Sequence, residues 1–141
     1  MADAMGAGMH VRLTLVARCA ELLAELRAST VGMRSATVAT TDGLAVASTL
    51  GSGPEVDKLA AMSGSIAALA SAMTRETGHG EPERVVLESS HGHIVSMKVP
   101  DAPVGLVLTV VATHEAVLGT LLWHCRATTE KIAASAATPP A

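Results

Sequence analysis

Val38-Ala39-Thr40-Thr41-Asp42-Gly43-Leu44-Ala45-Val46-Ala47-Ser48 is a pair of short β-compatible runs divided by an Asp-Gly step. The turn between such runs needs positive φ, which Gly43 adopts without steric cost, so the stretch reads as a hairpin with strands over 37–40 and 44–49. Upstream, Leu15, Cys19, Leu22, Leu23 and Leu26 recur at helical spacing while Arg12, Arg18, Glu21, Glu25 and Arg27 lie mostly off that stripe. This predicts an amphipathic helix over about 10–29. Downstream, Gly51-Ser52-Gly53-Pro54 breaks the second strand. Pro54 suits the first position of a helix, and Glu55 and Asp57 complement its N-terminal dipole. That helix is expected to run to about residue 77 and to end in Gly78-His79-Gly80.

Residues 84–89 and 94–99 form a second expected hairpin around Ser90-His91-Gly92-His93. The nearly continuous apolar run 105–111 reads as a central strand covered on both faces. Thr113 is placed to cap a last helix, whose stripe is Leu118, Leu121, Leu122, Cys125 and Ile132. The order helix, hairpin, helix, hairpin, strand, helix gives an α/β sandwich of the α+β kind, with a five-stranded, mainly antiparallel sheet. One domain over 10–134 accounts for the chain. Residues 1–9 are expected to be a flexible lead-in and 135–141 a frayed tail.

The chain has 141 residues, of which 49% are apolar and only 16% charged. That is the composition of a folding domain rather than a disordered one. With no Phe, no Tyr and one Trp, packing must come from Val, Leu, Met and Ala. A net charge of −3, no basic cluster and almost no aromatics for base stacking speak against nucleic-acid binding. The longest apolar run, 104–112, is far short of the ~20 residues of a membrane span. No signal-peptide core follows Met1, and a cytoplasmic location is expected.

Residues that could carry chemistry are few. No Gly-rich loop is followed by the lysine of a phosphate-binding site, since Gly51-Ser52-Gly53 runs into Pro54. The serines show no nucleophile-elbow pattern. Cys19 and Cys125 sit inside leucine stripes, where a thiol is reduced and inert. No catalytic residue and no cofactor is expected. The alternative is a small-molecule or metal sensor: His91 and His93 share a strand face, and His79 with Glu81 could complete a zinc site. The set is loose, turn histidines beside Gly78, Gly80 and Gly92 are commonly just solvated, and no metal is expected. His114 and His124 read as helix-end and helix-surface residues.

The second helix carries two stripes. Leu59, Met62, Ile66, Leu69 and Met73 make one, expected to pack on the sheet. Ala60, Gly64, Ala67, Ala68 and Ser71 make another, whose small size permits close approach of a second helix. Gly64 costs a helix about 1 kcal/mol relative to Ala, so it asks for a packing reason. These five, with Val85 and Leu87 of the following strand, form the expected dimer interface. Trp123 points away from the stripe of its own helix. It either fills a groove against the first helix or anchors a partner.

The hairpin 38–48, with its Thr41-Asp42-Gly43 turn, resembles the first hairpin of the roadblock family, which includes dynein light chains and bacterial partners of small GTPases. Lys58-Leu59-Ala60-Ala61-Met62 resembles the start of that family's central helix, and Val85-Val86-Leu87-Glu88 the strand after it. The histidines of the second hairpin depart from the family's pattern. The resemblance spans about 11–132 and implies a roadblock/profilin-like sandwich, with one helix on one face and two on the other. It further implies a non-catalytic homodimeric scaffold in a bacterial signalling complex, with a small Ras-like GTPase, a sensor histidine kinase or both as partners. Such a scaffold would reach the membrane only through a partner. Arg34, at an element end, is the arginine best placed to act as a finger on a GTPase, though none is expected to act so.

Overall fold

The computed structural model describes the backbone of residues 2–137 and the side chains of 12–137. Its elements are α1 (Ala2–Ser29), β1 (Met33–Thr40), β2 (Ala45–Ser48), α2 (Pro54–Glu76), β3 (Val85–Ser89), β4 (Gly92–Lys98), β5 (Leu106–Thr113) and α3 (Leu118–Ala137). The strands form one sheet in the order β2-β1-β5-β4-β3, with every neighbouring pair antiparallel. Helices α1 and α3 cover one face and α2 the other. Helix reaches into both segments read as tails, where Ala favours it. Residues 138–141 lie outside the described residues.

Both hairpins form where the turn chemistry places them. Gly43 has φ 92°, and its N–H donates to the Thr40 carbonyl at 2.9 Å, closing the first turn. The second closes through Ser90-His91, between the paired Ser89 and Gly92. Helix α2 starts at Pro54 without a side-chain cap, with Glu55 and Asp57 in its first turn. Thr113 does not cap α3, which begins five residues later: its Oγ1 accepts from Glu115 N–H at 3.3 Å and shapes the turn before the helix.

Strand alternation sorts the core into two unlike layers. On the α1/α3 side, Val38, Val95, Met97, Leu106, Leu108 and Val110 meet Leu22, Leu23, Leu26, Leu121, Cys125 and Ile132 in an aliphatic core. The α2 side of the sheet instead buries Thr37, Ala39, Ser96, Val107 and Thr109. Against these small residues α2 sets Val56, Ala60, Ser63, Gly64 and Ala67. The Ser63 hydroxyl donates to the Leu59 carbonyl at 2.8 Å and lies 2.7 Å from Thr109 Oγ1, so the buried hydroxyls satisfy one another.

This packing reverses the expected orientation of α2. The small-residue stripe, not the Leu59–Met73 stripe, faces the sheet, so Ala60, Gly64 and Ala67 are buried within one chain instead of being presented on its surface. The reason is fit. A sheet face made of Thr, Ser and Ala leaves a shallow space, and a helix lays its smallest side against it. Gly64 is required there because the β1–β2 turn sits on it: an added Cβ would lie 2.9 Å from both Gly43 N and the Thr41 carbonyl oxygen.

Cys19 and Cys125 are buried and unpaired. Burial pushes their thiols up to about 11 and about 12. Both are therefore protonated at pH 8, and neither should react with a soluble thiol reagent until the chain unfolds. The check is alkylation followed by mass spectrometry, with both cysteines modified in denaturant and neither modified natively within the same interval. The linkage has one sign: an acid raised in the folded state contributes stability below its unfolded value near 9, lost as pH climbs through the folded values.

Candidate interaction surface

The stripe turned away from the sheet is the most unusual surface of the molecule. Met62, Leu69 and Met73 are 54%, 63% and 61% exposed, and Leu59 and Ile66 are half-buried beside them. The five follow one another at intervals of three, four, three and four residues, the spacing of a helix–helix seam. A contiguous apolar stripe of this length in water marks a surface that another body covers. It lies toward β3, because Ala70, between Ile66 and Met73, lines a crevice with Pro82, Arg84 and Val85. Gly64, on the opposite flank, touches the β1–β2 turn.

Strand β3 is an edge of the sheet, and no helix packs substantially over it. The other edge, β2, is flanked by α1 and by α2. Val85 is half-buried and Leu87 exposed on the α2 side of β3; Val86 is exposed on the other side. An uncovered strand with apolar side chains on both faces is a template for pairing with another chain. Of the expected interface residues, Val85 and Leu87 thus stand beside the α2 stripe. Ala68 is exposed and Ser71 half-buried on the flank of α2 that faces away from it.

Trp123 is 69% exposed, edge-on to His124 at 5.4 Å between ring centroids. It stands at the rim of a groove of about 310 Å³ between α1 and α3, with Leu22, Leu26 and Ala127 along its walls. Its own stripe supports the orientation, since Leu121, Cys125 and Ile132 are buried. Arg34 is exposed at the start of β1.

The histidines do not converge. His79 is exposed and pairs its Nδ1 with Thr77 Oγ1 at 2.8 Å. His93 packs edge-on against His114 at 5.7 Å, and His114 Nε2 lies 3.1 Å from the Ser90 carbonyl oxygen. Among the described residues no group of three or more His, Cys, Asp or Glu is arranged to hold a metal ion. An open cleft of about 640 Å³ at one end of the sheet mixes Lys98 and Arg126 with Glu81, Glu83, Asp101 and Glu130, all exposed. Besides these exposed charges it is lined by two hydroxyl residues with buried side-chain oxygens, Thr129, whose hydroxyl donates to the Arg126 carbonyl at 2.8 Å, and Ser71. Among the described residues no helix is long and apolar enough to cross a membrane.

The sequence shows the α2 stripe but not that it faces outward. Its signal was present in the strict three-four spacing. A second signal was the Ser, Thr and Ala content of one strand face, at Thr37, Ala39, Ser96 and Thr109, which foretells a small-residue helix packed on it.

Comparison with known proteins agrees with this architecture. No curated protein matches the chain at the level of sequence. Among solved structures, a Roadblock/LC7 domain from Streptomyces avermitilis superposes with a TM-score of 0.73 at 22% identity, covering 80% of this chain and 92% of that one. The gliding protein MglB from Thermus thermophilus gives 0.74 at 21% identity, covering 86% and 90%. A structure described as MglB with tetrameric arrangement gives 0.74 at 22%, with the same coverages. At these identities the likeness is one of fold. The sequence profile of the Roadblock/LC7 domain matches residues 19–112, from the buried face of α1 through β5. By that match, and by the sheet and helix layers it spans, the chain belongs to the Roadblock/LC7 domain family.

Proposed function

We propose that this chain is a homodimeric, non-catalytic scaffold that docks a small Ras-like GTPase in a bacterial signalling complex, alongside a sensor histidine kinase. The observation that carries the reading is the apolar three-four seam of α2 exposed beside the free β3 edge. Two copies related by a two-fold axis would cover both features at once: the seams pack together, and the β3 edges join two sheets into one. That a similar structure is described as a tetrameric arrangement of MglB supports self-association as a habit of this fold. The scaffold acts in the cytoplasm and reaches the membrane only through a partner.

With α2 and β3 occupied by the second copy, the α1/α3 face remains for the GTPase, and Trp123 is its anchor. A platform of this kind changes hydrolysis or exchange only as far as it binds the two GTPase states differently. Arg34, exposed at the start of β1, is read as a surface cation, whereas a finger must be held rigidly beside the transferred phosphate.

The sole tryptophan makes the docking reading directly measurable. Light scattering should give a dimer at tens of micromolar. Titration with the purified GTPase, loaded with GDP or a GTP analogue, should shift Trp123 fluorescence as the indole leaves water. Trp123→Ala is expected to weaken binding about tenfold or more, as for an interface anchor, while leaving the melting temperature nearly unchanged. Arg34→Ala should leave GTP turnover as it is. A loss of stimulated turnover on Arg34→Ala with binding intact would replace the scaffold by a catalytic activator.

A further inference from the structure

We infer that Met62 and Met73 are a modification site: a peroxide converts both thioethers to sulfoxides, and the apolar seam of α2 then no longer pairs with a second copy. The inference rests on the self-association reading above and adds a chemical control over it.

The fold sorts the sulfur atoms of the chain by reach. Cys19 and Cys125 are fully buried, and burial keeps their thiols protonated. The thiolate that would attack a peroxide is therefore absent. Met97 is 5% exposed, and the Thr129 hydroxyl is directed at its sulfur at 3.8 Å. Met33 is half-buried and packs against the same core. Among the described residues the exposed methionines are Met62 and Met73, at 54% and 61%. Both stand on the seam of α2, three turns apart, about 16 Å along the helix axis. Leu59, Ile66 and Leu69 complete that stripe and carry no atom that a peroxide oxidises. Among these residues, then, the accessible sulfur lies on one face of one helix.

The step is a two-electron oxidation. A thioether lone pair attacks one peroxide oxygen as the O–O bond breaks. The other oxygen leaves as hydroxide and takes the proton from the oxygen now on sulfur, giving a sulfoxide and water. Two thiols reverse the change, themselves oxidised to a disulfide while the sulfoxide oxygen leaves as water. In the free chain each sulfoxide stands in water and leaves the fold alone. Across a paired seam it would press a strong acceptor against Leu and Ile side chains, and no residue of the stripe can donate to it. A dimer would carry four such groups. Pairing also covers both sulfurs, so assembly slows the reaction and the unpaired chain is the species that peroxide marks.

The test uses the full chain and hydrogen peroxide. Peptide mass spectrometry should place one oxygen each on Met62 and Met73 and leave Met97 and both cysteines unmodified. The reaction should slow as protein concentration rises into the dimeric range. The oxidised chain is expected to dimerise about a hundredfold or more weakly than the untreated one, with circular dichroism unchanged. Methionine sulfoxide reductases with a thiol should restore the dimer. Met62→Leu/Met73→Leu keeps every other methionine, Met1, Met5 and Met9 included, and should stay dimeric through the same treatment. Met62→Gln/Met73→Gln sets a permanent polar group at each position and should be monomeric without any oxidant. An oxidised chain as dimeric as the untreated one, or a Leu variant that loses its dimer to peroxide, would refute the modification site while leaving the dimer standing. An untreated chain that is monomeric at tens of micromolar would instead remove the underlying reading, and the site with it.

Discussion

Leu69→Glu is expected to leave the chain monomeric at concentrations where the wild type is a dimer. Leu69 is 63% exposed in the single chain, so the substitution places the carboxylate in water and leaves the monomer intact. In a seam-to-seam dimer the same carboxylate occurs twice, in an apolar contact with no cation opposite. Each such burial costs at least about 2 kcal/mol after relaxation, and two weaken association roughly a thousandfold. Ala68→Glu is the control. It is the neighbouring residue, exposed, but turned about 100° around the helix toward the far flank. It should alter the dimer constant by no more than about threefold. Sedimentation at tens of micromolar, with circular dichroism to show retained helix, decides between them. A dimer lost in Ala68→Glu and kept in Leu69→Glu would return the interface to the small-residue face.

Gly64→Val is expected to destabilise the folded chain itself, by about 3 kcal/mol, with Gly64→Ala intermediate at about 1–2 kcal/mol. The added Cβ meets Gly43 N and the Thr41 carbonyl oxygen, both at 2.9 Å, and these are backbone atoms that cannot swing aside. The turn carrying them is tied down by the Thr41 N–H donating to the Gly105 carbonyl at 2.9 Å. Ala recovers about 1 kcal/mol of helix propensity against this strain, and Val recovers less. The measurement is urea unfolding in a Leu69→Glu background, where association no longer contributes to apparent stability. If Gly64 served only a dimer contact, its substitution would cost nothing there. A full loss in the monomeric background places Gly64 inside the fold.

Element order was legible in the sequence because it depends on local chemistry. Asp42-Gly43 sets the first turn, Pro54 with Glu55 and Asp57 starts α2, Gly78 and Gly80 end it, and the apolar run after Gly105 becomes the central strand. Each is a preference of a few adjacent residues, and each survives in the fold. The boundaries were less legible. Helix α1 begins at Ala2 and α3 at Leu118 because Ala-rich flanks and a Thr113 turn extend or delay a helix with no effect on its buried stripe. The outward turn of Trp123 was also readable, since one residue out of phase with Leu121 and Cys125 cannot share their side.

Which face of α2 enters the core is a different kind of question. The helix carries two usable stripes, and hydrophobicity alone favours burying Leu59, Met62, Ile66, Leu69 and Met73. The choice depends on what the sheet offers, and the sheet face that meets α2 is assembled from β1, β4 and β5, far apart in sequence. Thr37, Ala39, Ser96 and Thr109 together make that face shallow and partly polar, so Ala60, Ser63, Gly64 and Ala67 fill it and the larger side chains are left outside. Local chemistry along the chain sets the elements, their order and the existence of two candidate faces. The choice between the faces is made only in the folded molecule, because it depends on the complementarity of surfaces that do not exist until the strands have paired.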